Sequence, residues 1–262
     1  MANLIRSAKS GSDWTQTDLD AYHIEFFPEE PGVFFGINLA FTPPLVDKEL
    51  LATVDAQAMQ KDRNVELINL LDLAMSPHGS KGAVSDFVVE LFKVLGYVRR
   101  DRLACTRKNL ALLICGELRQ VETDVCLVDR SQNNILLLVK EDKRSEDRRP
   151  VDTRAQLVAE AVAAFAENNK NRMAAGLYCL TEQVIPGIIM VGTSPTFFKI
   201  PVTKNLCTRI AHGTYPRNAT CISYCVPPVP RPNRRHSEGM KPLDNRHQIL
   251  SCYEAFKQVL GI

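Results

Sequence analysis

Between residues 117 and 143 two runs of strand formers flank a polar turn, and the two-residue repeat of a strand then fixes which charged side chains can meet. Val121, Val125 and Leu127 belong to the first run and the Ile-Leu-Leu-Leu-Val of 135–139 to the second, residue types that suit a pleated, half-buried surface. The Asp-, Ser- and Asn-rich segment 129–134 favours a turn between them. The spacing predicts an antiparallel hairpin with Glu122 and Asp124 on one face of its first strand. Glu141 and Lys143 fall together at the end of its second strand. Strand ends that run into solvent also carry charges for solubility alone, so the pattern draws its meaning from the elements around it.

A cluster of two or three acids beside a lysine suits a hard divalent cation, because Mg2+ and Mn2+ take oxygen ligands and leave positions for water and a phosphate oxygen. The lysine would steer water or neutralise charge that develops on the phosphate. With Asp124 on one strand and Glu141-Asp142-Lys143 ending the next after an apolar run, the chain resembles the PD-(D/E)xK nuclease superfamily over roughly residues 83–200. It departs from that pattern at Thr123, where the family name has a proline. The start of the chain also resembles uncharacterised proteins of mushroom-forming fungi.

The resemblance implies a restriction endonuclease-like α/β core, a mixed central sheet flanked by helices, and metal-dependent hydrolysis of phosphodiester bonds in DNA or RNA with Mg2+ or Mn2+. Asp124 and Glu141 would hold the metal, with Glu90 and Glu122 accessory, and Lys143 would act on water and phosphate. Gln156 matches the first half of a Q-x-x-x-Y motif in the branch of the superfamily that resembles RecB, whose tyrosine position here is Glu160. Such families also contain inactive members, so a nuclease-fold binding or regulatory module is the alternative.

The flanking pattern agrees with that core. Residues 45–75 show helical spacing, and 85–96 form a helix with Val84, Phe87, Val88, Leu91 and Leu95 on one face and Glu90 at its border. Arg99, Arg100, Arg102, Arg107 and Lys108 form the densest basic run before the motif and are candidate phosphate contacts. A second helix spans 153–170, and strands are expected at 176–180, 187–191 and 196–202. Three segments follow: a helical N-terminal extension at 1–82, the core at 83–205, and a C-terminal extension at 206–262. The last has an extended Pro- and Arg-rich stretch at 226–244 and a final helix at 245–260.

A formal net charge of +2 leaves no overall basic field, so nucleic acid would have to be met by local patches. The eight cysteines lack the CxxC spacing of a zinc site and sit mostly in apolar runs, which predicts reduced, buried thiols. His78, in a Pro-Gly turn, reads as surface. No run is apolar enough for a signal peptide or a membrane span, so a cytosolic or nuclear protein without a membrane partner is expected.

Overall fold

A strand that is apolar at consecutive positions needs cover on both faces, and the run at 135–139 obtains it. The computed structural model describes residues 6–37, 44–76, 82–142 and 150–262. In chain order their elements are α1 (Gln16–Ala21), β1 (Ile24–Pro28), α2 (Pro31–Phe35), α3 (Lys48–Ala52), α4 (Asp62–Met75), α5 (Ala83–Val94), β2 (Arg102–Thr106), β3 (Asn109–Ile114), β4 (Glu117–Glu122) and β5 (Val125–Asp129). They continue with β6 (Asn134–Glu141), α6 (Pro150–Ala174), β7 (Glu182–Val191), β8 (Ser194–Thr203), α7 (Lys204–Ala211), β9 (Thr220–Cys225), α8 (Arg235–Glu238) and α9 (Leu243–Leu260).

The fold is a mixed α/β arrangement around a seven-stranded sheet of order β1-β9-β8-β7-β6-β5-β2. Pairing is antiparallel except for β1 with β9 and β6 with β7. Leu137 and Val139 of β6 enter one apolar cluster with Phe34, Leu50, Leu67, Phe87 and Tyr253 of α2, α3, α4, α5 and α9. Ile135 and Leu138 enter the other, with Leu157, Val158 and Val162 of α6 and Leu206 and Ile210 of α7. The two faces thus explain why β6 shows no polar alternation. Helix α6 carries the chain from β6 to its parallel neighbour β7 and lies close against the sheet. A Cβ placed at Gly187 would stand 3.0 Å from Leu157 Cδ2 and 3.2 Å from Ile200 Cδ1, so the absent side chain at 187 lets helix and sheet approach.

The segments 1–82 and 206–262 are woven into this layer rather than laid beside it, since they supply β1 and β9. Arg246 of α9 fastens them. It is 2% exposed, and its guanidinium donates to the carbonyls of Leu50 (3.0 Å), Thr53 (2.8 Å) and Met240 (3.0 Å). Burial draws its pKa below the ordinary value, but carbonyl acceptors satisfy the charge.

The β5–β6 hairpin and the final helix follow the expected pattern; all eight cysteines are free, but only Cys126, Cys225 and Cys252 are buried, and Cys179 and Cys221 are exposed. The stretch at 226–244, expected to be extended, carries the short helix α8, and two elements of the core differ. The expected strand at 176–180 is irregular, because Asn169 takes both backbone groups of Leu180, accepting its N–H at 2.7 Å and donating to its carbonyl at 3.1 Å. The expected first strand of the motif hairpin is in fact two strands. Strand β4 pairs with β3 in a separate two-stranded sheet, and β5 pairs with β2 in the main one.

The register explains the division. Thr106 faces Val125 and Asn109 faces Glu122, so 107–108 and 123–124 continue one ribbon that bends where they lie opposite. Arg107 N–H donates to Asp124 O at 3.1 Å and Thr123 N–H to Lys108 O at 3.0 Å across the bend. Arg107 takes a left-handed φ of 52° there. The bend lets Leu110, Leu112 and Val121 cover α6 while β2 and β5 stay in the sheet.

Replacing Arg246 by Leu should strand several buried carbonyls and lower unfolding free energy by ~3 kcal/mol in urea titrations. An unchanged midpoint would show that α9 is not held to the N-terminal helices through this residue.

Candidate functional site

The bend in the ribbon, the end of β6 and the start of α5 enclose a polar cavity of about 540 Å3. Gly82, Ser85 and Asp86 line it from α5, Thr106 and Arg107 from the end of β2, Glu122 and Asp124 from the bend, and Glu141 from β6. Glu122 and Asp124 therefore do share a site, but through a corner instead of a common strand face. Thr123 between them is fully buried. Its hydroxyl donates to Lys108 O at 3.4 Å, which turns the residues on either side outward.

Asp124 is held firmly. Its Oδ2 accepts the backbone N–H of Glu141 at 2.8 Å and lies 3.6 Å from Lys140 Nζ. Lys140 in turn reaches Glu160 Oε1 on α6 at 2.8 Å. Glu160 is 1% exposed, and its Oε2 has no hydrogen-bond partner among the described residues. Burial pushes the Glu160 carboxyl up to about 8, against the pull of Lys140. For Lys140, burial works downward but the Glu160 and Asp124 carboxylates outweigh it, and the net direction is up, so the ammonium stays charged. Glu160 occupies the tyrosine position of the motif described above, and Lys140 is the side chain that partners it. On the other side of the strand end, Asp142 accepts from Thr153 Oγ1 at 3.0 Å and its N–H donates to Met190 O at 2.8 Å. Glu141 is thereby pinned from the residue before it and the residue after it.

Other expected residues lie elsewhere. Glu90 is buried on α5, with Lys93 Nζ at 2.9 Å and Arg63 Nε at 3.6 Å, and does not line the cavity. The acid of α5 that does line it is Asp86, one turn closer to the helix start on the same flank. The sequence shows both acids one turn apart, and only Glu90 stands at the border of the apolar face. Gln156 Nε2 donates to Ser12 O at 2.9 Å and ties the N-terminal segment to α6. Of the basic run, Arg107 faces the cavity. Arg102 instead donates to Tyr97 O at 2.9 Å and Gly96 O at 3.3 Å, closing the end of α5. Arg99 forms a backbone bridge with Arg102, Arg100 is exposed, and Lys108 is half-buried. Lys143 and His78 lie outside the described residues.

The donors around the cavity are anionic oxygens, the kind that a hard cation prefers. Among the described residues, no three His, Cys, Asp or Glu side chains form a group that could hold a metal ion. No helix among them is long and apolar enough to cross a membrane. The chain matches no family model, and no curated protein matches its sequence.

Folded Glu160 keeps its proton to about 8 against an ordinary value of 4.5, so the stability linked to that proton is present below 4.5 and is lost as pH rises towards 8. Replacement by Gln should flatten this loss. Unfolding free energies at pH 5 and pH 8 should differ less in Glu160→Gln than in the parent, and parallel pH profiles would contradict the assignment.

Proposed function

We propose that the chain is a restriction endonuclease-like phosphodiesterase that acts on nucleic acid with Mg2+ or Mn2+. The observation that carries this reading is that Asp124, Glu141 and Asp86, drawn from the bend, the neighbouring strand and the first helix of the segment, line one polar cavity beside Arg107. The order α5, β2 to β6, α6, β7 and β8 supports the finer fold assignment, with a helix crossing between parallel strands directly after the motif.

Asp124 and Glu141 would hold the ion, with Asp86 adding charge from the α5 side or Glu122 from the bend. Such an ion supplies Lewis acidity towards a phosphate oxygen and lowers the pKa of water. Arg107 meets the negative phosphate with a guanidinium, and Lys140, 3.6 Å from Asp124, orients that aspartate by charge. The lysine expected to act on water and phosphate is Lys143, two residues beyond Glu141.

A second reading has an observation of its own. Asp124 already accepts a backbone N–H and faces an ammonium, and the described acids do not gather in threes, an arrangement that suits a nuclease-fold module which binds without cutting.

Single- and double-stranded DNA and RNA incubated with the purified chain in Mg2+ and in Mn2+ separate the two. At least one substrate should be cut, and Asp124→Asn or Glu141→Gln should slow cleavage by roughly a hundredfold or more, the scale set by removal of preorganised charge. If nothing is cut with either metal while nucleic acid still binds, the module replaces the enzyme.

A further inference from the structure

A second cavity of about 520 Å3 lies between β3, the later turns of α6 and α7, and shares no lining residue with the acidic one. Small side chains make it. Ala111 on β3, Ala163 and Ala166 on α6, and Ala211 on α7 stand where larger residues would close the gap. On α7, Lys204, Cys207, Ala211 and the positions beside them repeat at the three- and four-residue spacing of one helix face, so that whole face turns to the cavity. The opposite flank, Leu206 and Ile210, is in the core.

Most polar atoms near the wall are already engaged. Asn169 serves the backbone of Leu180 at 2.7 and 3.1 Å, and the Thr208 hydroxyl donates to Lys204 O at 2.8 Å. The Lys204 ammonium differs. It is exposed at the edge of the cavity, at the start of α7, and among the described residues it has no ion-pair or hydrogen-bond partner. A trough walled by apolar atoms with one unneutralised cation at its lip is complementary to a molecule with an apolar body and one negative head. We propose that this cavity binds a small amphipathic acid, a medium-chain carboxylate, whose chain lies along the alanines and whose carboxylate meets Lys204. The volume falls in the range of pockets that bury small ligands, and a charge-assisted contact at one end supplies orientation.

The probe is octanoate, titrated well below its micellar range into the full chain and followed by amide NMR shifts, with 1-octanol as its uncharged counterpart. Octanoate should bind saturably with shifts centred on α7 and β3. Ala166→Phe, a change at an exposed position that fills the trough from the solvent side, should abolish binding. Lys204→Gln should weaken octanoate roughly tenfold and leave 1-octanol unchanged. Ala111→Phe, also exposed, replaces Ala166→Phe if melting shows that the latter is unfolded. The proposal is overturned if octanoate does not saturate, if it binds equally well once the trough is filled, or if Lys204→Gln leaves its affinity untouched. It is also overturned if sedimentation shows a dimer that the filling variants dissociate, because a second copy would then occupy the groove.

Discussion

The bend at 107–108 and 123–124 divides one ribbon between two sheets and shapes the acidic cavity beside it. One ribbon keeps a single register from β2 and β5 through to β3 and β4, yet its two halves serve different layers. The near half completes the edge of the sheet, and the far half turns to cover α6 with Leu110, Leu112 and Val121. A left-handed Arg107 costs about 1 kcal/mol. The hydrogen bonds across the corner and the burial of Thr123 offset it. Without the corner, Glu122 and Asp124 would lie along a flat strand, and no concavity would form against the start of α5.

Charge at the corner is balanced from beneath. Four carboxylates around one cavity repel one another, and Arg107 with Lys140 supplies the opposing charge. Lys140 also reaches the buried Glu160 at 2.8 Å. Because burial keeps the Glu160 proton on to about 8, the contact near neutral pH is an ammonium hydrogen bond to a neutral carboxyl, not a source of large net stability. Its effect is positional. The ammonium lies between Glu160 and Asp124 and sets the orientation of an aspartate at the mouth of the cavity. A glutamate at 160 is tolerated in an apolar helix face because Lys140 reaches it from the facing strand.

Much of this architecture is legible in the sequence, and the parts that are not share a cause. The β5–β6 hairpin, α5 and α9 follow from local periodicity, because each buries a face or a run whose spacing the sequence displays. The break at Thr123 does not, since residues on both sides favour strand and the division arises from which partner, β3 or β2, lies opposite. The same holds for 176–180, where a side chain one helix turn from the end of α6 captures backbone groups that a sheet would have used. The Pro- and Arg-rich stretch looks like an unneutralised basic segment in one dimension. In three dimensions Arg231 is 2.7 Å from both Glu238 and Asp244, and Lys241 is 3.0 Å from Asp72. Asp86 and Glu90 share a helix flank, and the choice between them depends on where the ribbon bends.

On the proposed reading, Asp124 at the corner and Asp86 at the start of α5, distant in sequence, contribute to one cation site. Mn2+ binding followed by loss of its free paramagnetic resonance signal measures that directly in the parent chain, in Asp86→Asn, in Asp124→Asn and in the double variant. Each single change should weaken Mn2+ binding, and the double change should cost less than the two added together, the mark of residues that share a ligand. Strictly additive effects, or an Mn2+ signal that no variant alters, would contradict it.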